Sequence, residues 1–247
     1  MLFNPVLAGL TVRQALAKRR WMIVLLLAAL PVVMATLIHL YGTVDDEPLQ
    51  IVAIPIMTLI YTVVVPVIAL ILASSSFGAE IEDGTAIYLL AKPISRTEIV
   101  LTKLVVTAVI CMTLAAVTTL GAGVSLVRGL DPTGLVLGLT AGASLGAFLY
   151  TAIFLALGLI TKRGMLIGLT YLVVWEGALG SFFKGTRVLS VRQYMLALAD
   201  AISTVNAEVF VALLAPKTAY VMSGVVALAA VTLCIRKLRT FEVGQAG

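Results

Sequence analysis

Six stretches of this chain, near 21–41, 51–73, 100–127, 134–160, 164–181 and 217–235, are almost free of charge. A helix needs about 20 mostly apolar residues to cross the hydrocarbon core of a bilayer, and each stretch is near or beyond that length. Inside hydrocarbon every backbone N–H and C=O must be satisfied within its own segment or a closed barrel, so uninterrupted apolar runs of this length predict helices. Composition agrees. Of 247 residues, 61% are hydrophobic and 12% charged, where a soluble domain carries about 45–50% apolar and about 25% charged residues. The expected fold class is all-α: one polytopic membrane domain over 1–247, with six transmembrane helices and no sizeable soluble part.

Local signals mark several helix starts. In "NPV", Asn4 is placed to cap a helix whose first residue is Pro5, and "DPTG" does the same with Asp131 and Pro132. "SRTE", Ser95 to Glu98, reads as a capping box opening the third crossing. Residues 4–19 are too polar to span. Val6, Leu10, Val12 and Leu16 share an arc there with Arg13 intruding, which fits an interfacial helix ending in "KRRW" or a solvated basic leader. The first apolar run has no small-residue cleavage site after it and reads as a retained helix. The prolines at Pro31, Pro55 and Pro66 are expected to kink the first two crossings.

The net charge of +5 comes from basic residues beside the apolar runs. That pattern points to orientation in a membrane, and nucleic acid is not an expected partner. Arg13, Lys18, Arg19, Arg20, Lys92, Arg96, Lys103, Lys162, Arg163, Arg236, Lys237 and Arg239 fall on one side; Arg128, Lys184, Arg187, Arg192 and Lys217 fall on the other. The imbalance of 12 to 5 places both termini in the cytoplasm, and the expected location is a multi-pass position in the plasma membrane of a bacterial or archaeal cell.

Catalytic signatures are missing from the sequence. It holds one histidine, His39, expected as an interfacial polar residue, and two cysteines, Cys111 and Cys234, both within apolar runs. No HExxH, CxxC or GxxxxGK[ST] pattern occurs, so metalloprotease chemistry and a P-loop ATPase are not expected in this chain, and it is read as no enzyme, with no metal or cofactor of its own.

The feature with a mechanism is "EIEDGTAIYLLAKPISR", residues 80–96. Asp83 is placed to cap a helix from Gly84, with acidic residues suited to the helix N-terminus. Ile87, Leu90, Ala91 and Ile94 fall at i, i+3, i+4 and i+7, one apolar stripe flanked by Tyr88. Pro93 ends that helix near Lys92 before the Ser95–Glu98 box restarts the chain. A short amphipathic helix at the cytoplasmic surface follows, either a loop resting on lipid or a recognition element.

The stretch resembles a cytoplasmic motif of type-2 permeases in the ATP-binding cassette (ABC) exporter superfamily, carried here by Glu80, Glu82, Gly84, Thr85, Leu89, Leu90, Pro93, Ser95, Arg96 and Lys103. The six-crossing layout, the "WEG" of the fifth crossing and "LSVRQYMLAL" also look like permeases of multi-copper enzyme maturation. The resemblance implies that Glu82–Ile94 is a coupling helix docking in a groove of a separate cytosolic ATPase. Glu80, Glu82, Asp83, Gly84, Thr85, Ile87, Tyr88, Leu89, Leu90, Pro93, Ser95 and Arg96 would form that junction. It further implies two ATPase copies carrying ATP and Mg, a second permease copy or a homologous permease, and room for a periplasmic or other accessory protein. Export of an unidentified substrate is the expected function. An ATP-independent secondary transporter and a non-transporting scaffold for an ATPase are the alternatives.

Three further features stand within the membrane. Gly134, Gly138, Gly142 and Gly146 recur every four residues along the fourth crossing, letting helices approach closely, within the bundle or at a dimer seam. Glu176 lies in the fifth crossing, where a carboxylate costs about 2.5–3.5 kcal/mol on insertion scales and needs a partner. Two roles fit it: a contact to substrate or a gate, and a structural hydrogen bond to a neighbouring helix or outer loop. In the outer segment 182–216, Ser190 is placed to cap a helix whose Val191, Tyr194, Met195, Leu198 and Ile202 form an apolar stripe, expected to be interfacial or re-entrant.

Overall fold

The computed structural model describes residues 5–16, 18–41, 55–82, 95–127, 134–161, 163–179, 186–203 and 213–239. Among them every regular element is helical. The order is α1 (Pro5–Ala15), α2 (Lys18–Tyr41), α3 (Val65–Glu82), α4 (Arg96–Val127), α5 (Leu135–Ile160), α6 (Gly164–Thr170), α7 (Val191–Ile202) and α8 (Pro216–Arg239). A π-helical turn, Ile60–Val64, precedes α3, another π-helical stretch, Tyr171–Leu179, continues α6, and Thr186–Leu189 form a 3-10 turn.

Five described segments are long and apolar enough to span: Arg20–Tyr41, Pro55–Ser76, Arg96–Leu126, Leu135–Ile160 and Pro216–Leu238. The protein is therefore an all-α, multi-pass membrane protein. Of the fifth expected crossing, Gly164 to Leu179 is described and is helical throughout, α6 continuing into the π-helical stretch; residues 180 and 181 fall outside the described residues.

Helix α5 is the centre of the bundle, packed by α4, α7, α3 and α8. In its most apolar window 67% of residues are buried, against 22% in both α2 and α8. Those two helices turn large side chains such as Leu26 and Leu228 outward, as a lipid-facing helix does. Hydroxyl groups along the spans avoid lipid by local bonding: Thr36, Thr113, Thr119, Thr140 and Thr151 each donate to the carbonyl four residues back.

Several helix boundaries differ from the sequence expectation, each for a local reason. Helix α5 starts at Leu135, capped by Gly134 in the left-handed conformation at φ +65°. Asp131 and Pro132, expected to open this helix, fall outside the described residues. Pro66 sits one residue after a π-helical turn in which the Val65 N–H reaches the Ile60 carbonyl. Proline supplies no N–H and crowds the carbonyl four residues back, and the wider turn relieves both. Pro31 lies inside α2, which remains helical around it. Helix α1 buries Leu7, Thr11 and Ala15, one turn apart, while of the expected arc Val6, Leu10 and Leu16 are exposed with Arg13 and Val12 is half-buried. His39 is half-buried in the last turn of α2.

Candidate functional site

Two polar junctions stand out in this apolar bundle. The first lies on the base-rich side, where α3 ends and α4 begins. Residues 83–94 of the expected coupling segment, with Asp83, Gly84, Thr85, Ile87, Tyr88, Leu89, Leu90 and Pro93, fall outside the described residues. Glu80 and Glu82 lie in the last turn of α3. The segment therefore leaves α3 and re-enters at Ser95, which sits at the N-cap position of α4.

Ser95 accepts a hydrogen bond from the Glu98 N–H at 3.2 Å through its Oγ, and its carbonyl accepts from the Ile99 N–H at 3.1 Å. This is the serine half of a capping box. One residue on, Arg96 turns back into the bundle and donates from Nη1 to the Leu238 carbonyl, one residue before the end of α8. A cation there satisfies a terminal carbonyl and complements the negative end of the helix dipole. Lys103, two turns further along α4, is fully buried. Its Nζ donates to the Ser76 carbonyl of α3, and Thr107 Oγ1 donates to Ser76 Oγ at 3.5 Å. Helix α1 packs on α4 and α3 beside this junction.

The second junction surrounds Glu176, which is 3% exposed. Ser190 Oγ donates to its Oε2 at 2.6 Å; the Val191 N–H and Tyr171 Oη donate to its Oε1 at 2.9 and 3.3 Å. The Tyr150 and Tyr194 rings and Arg192 complete the polar neighbourhood. Ser190 occupies the N-cap position of α7 but makes no side-chain capping bond of its own. The carboxylate from the neighbouring helix caps α7 instead, and the serine hydroxyl donates to it.

The glycine stripe explains why α7 needs such a cap. A Cβ built on Gly138 would stand 2.6 Å from the Ala199 carbonyl oxygen, and one on Gly142 would collide with the Met195 carbonyl oxygen and, at 2.5 Å, with Tyr61 Oη. Gly146 faces the Met195 side chain, and Gly134 lies nearest the Ile202 carbonyl. The stripe thus seats α7 backbone-to-backbone along α5. From Gly134 to Gly146 this contact follows α5 for about 18 Å at 1.5 Å per residue, so the N-terminus of α7 lies deep beside the bundle centre. The first N–H groups of a helix have no intrahelical partner. Away from water they must be met by protein, and a carboxylate meets them with favourable charge. The π-helical stretch Tyr171–Leu179 aims Glu176 at that terminus, and the Ile60–Val64 turn aims Tyr61, whose hydroxyl donates to the Leu139 carbonyl at 2.5 Å, at the same stretch of α5.

Sequence reasoning named Glu176, Ser190 and the glycines but did not join them. It had no signal for Tyr171, Tyr61 or the Val191 N–H, because these partnerships arise from helix placement. The expected stripe of α7 is buried at Val191, Tyr194 and Met195, half-buried at Leu198 and exposed at Ile202. Among the described residues no group of His, Cys, Asp and Glu is placed to hold a metal ion.

No curated protein is similar enough to this chain to count as a relative. Residues 17–191 match the family described as ABC-2 family transporter protein. That match runs from the end of α1 to the capped start of α7 and includes Ser95, Arg96, Lys103, Glu176 and Ser190; α8, with the Leu238 carbonyl, lies beyond it. The chain belongs to the ABC-2 family of transporter proteins and is a membrane component of an ABC-type transporter.

Proposed function

We propose that the chain is the permease half of an ATP-driven exporter whose ATPase is a separate cytosolic subunit. Family membership across 17–191 is the observation that carries this reading. It is supported by the interruption between α3 and α4, which falls on the base-rich side and holds the amphipathic stretch 83–94. In this proposal the base-rich side is cytoplasmic, both termini lie there, and two permease copies, or one copy with a homologous permease, pair with two ATPases carrying ATP and Mg. Closure of the ATPases on ATP moves the coupling segments, and rigid-body movement of the helices they join opens the path outward. The finer likeness to multi-copper enzyme maturation permeases belongs to the same proposal.

The test is purification from the native membrane in mild detergent, beside Leu90→Asp. Leu90 is chosen over Arg96 because the Arg96 guanidinium already serves α8. An ATPase bearing a phosphate-binding loop is expected with the wild-type chain and lost from Leu90→Asp. Wild-type preparations without such a subunit, with and without nucleotide, would overturn the reading.

A further inference from the structure

The two basic side chains at the start of α4 reach two different helices. Arg96 donates to the Leu238 carbonyl at the end of α8, and Lys103 donates to the Ser76 carbonyl of α3. We infer that Arg96 and Lys103 clamp the base-rich ends of α3, α4 and α8 into one body, so that displacement of segment 83–94 reaches α8 as well as the two helices that flank the segment. This rests on the exporter reading and assigns positioning residues for it.

Three observations carry the inference. Helix α4 has 32 residues, about 48 Å at 1.5 Å per residue, so part of it extends past a core about 30 Å thick. Both cations lie in its first three turns, on the side where that extension meets α1, α3 and α8. Second, Lys103 is fully buried. Its ammonium donates to the Ser76 carbonyl, and a directional bond from a buried cation on one helix to the backbone of another fixes the register of α4 on α3. Third, α8 follows the other helices in sequence and has no short connection to the coupling segment. Arg96 provides it with one, next to the residue where the segment re-enters the bundle.

The experiment measures distances by pulsed dipolar spectroscopy in the complex with its ATPase, with labelled chains diluted by unlabelled ones. Cys111 and Cys234 are both replaced by alanine. One label pair lies within the proposed body, at Val105 of α4 and Leu233 of α8, both exposed. The other runs from Leu233 to Met165, exposed near the start of α6. With the wild-type chain, ATP is expected to leave the Val105–Leu233 distance unchanged and to shift the Leu233–Met165 distance by about 2 Å or more. Arg96→Gln is expected to retain the ATPase, broaden the Val105–Leu233 distribution and lose the Leu233–Met165 shift. Lys103→Met should loosen α3 from α4, and Lys103→Arg should restore wild-type behaviour.

A Val105–Leu233 distance that changes with ATP in the wild type overturns the clamp, without relying on any variant. So does a Leu233–Met165 distance that ignores ATP, or an Arg96→Gln chain indistinguishable from wild type. Loss of the ATPase from Arg96→Gln would reassign Arg96 to the docking surface and also overturn it. If no ATPase accompanies the wild type, the exporter reading falls; the clamp is then read without nucleotide, and an unbroadened Val105–Leu233 distribution in Arg96→Gln refutes it separately.

Discussion

Replacing Glu176 by alanine is expected to release the N-terminus of α7 from the bundle. The carboxylate accepts from the Ser190 hydroxyl, the Val191 N–H and, more weakly at 3.3 Å, the Tyr171 hydroxyl. Ser190 can rotate to another acceptor, so the Val191 amide is the donor with nowhere to go. A buried donor left unsatisfied costs about 1–3 kcal/mol, and removing an anion from a partly buried helix N-terminus costs up to about 2 kcal/mol more. Together these give about 1–5 kcal/mol for Glu176→Ala. For a chain of this size 1 kcal/mol corresponds to about 2–4 °C in Tm, so the loss should be at least about 2 °C. Glu176→Gln keeps one acceptor oxygen and should fall between wild type and alanine. The assay is thermal unfolding of detergent-purified protein, followed by amide hydrogen exchange. Exchange should rise in the first two turns of α7 and stay unchanged in α4. A Glu176→Ala protein within about 0.5 kcal/mol of wild type, the range of an ordinary surface substitution, would refute the capping argument. A residue that only touches substrate would produce that null result together with lost transport.

The glycine stripe yields a graded outcome. Gly142→Ala should destabilise more than Gly146→Ala, because the new methyl meets the rigid Met195 carbonyl in the first case and the end of a flexible Met195 side chain in the second. A difference of about 1–3 kcal/mol is expected from overpacking against backbone, and equal losses in thermal unfolding would refute the placement of α7. At the other junction, Ser95→Ala removes the acceptor for the Glu98 N–H. It should cost about 1 kcal/mol and raise amide exchange in the first turn of α4 alone; protection spreading or lost along the whole helix would contradict a local cap.

Hydropathy made most of this architecture legible, since the period and length of an apolar run depend on the solvent around it. It was silent on how the fifth expected crossing meets the outer segment. An acidic residue in an apolar run reads the same whether it faces a wet path or the start of a neighbouring helix, and the tie between Glu176 and the start of α7 is visible only once the two are packed together. Turn chemistry was incomplete in a related way at Ser190. Serine before an apolar helix reads as a self-sufficient cap, yet Ser190 is a donor to a carboxylate from another helix. The glycine spacing showed that something approaches α5 closely. Which helix did so depended on a chain return the pattern does not encode.

The two polar junctions answer one demand, and this gives the placement of charge a common cause. Helix ends in an apolar setting expose unpaired N–H or C=O groups that lipid cannot satisfy. At the start of α7 the unpaired groups are donors, and the side chain supplied is the acidic Glu176. At the end of α8 they are acceptors, and the side chain supplied is the basic Arg96. In each case the charge has the sign that the helix dipole favours and comes from a different helix. Each therefore holds two elements in register, where a cap from the same helix would hold only one. Exchanging the signs should then be worse than neutralising them: Glu176→Lys presents a cation to unpaired N–H groups, and Arg96→Glu presents an anion to unpaired carbonyls. If a charge-reversed chain were as stable in thermal unfolding as its Glu176→Gln or Arg96→Gln counterpart, the polarity of the helix ends would not be what selects these residues.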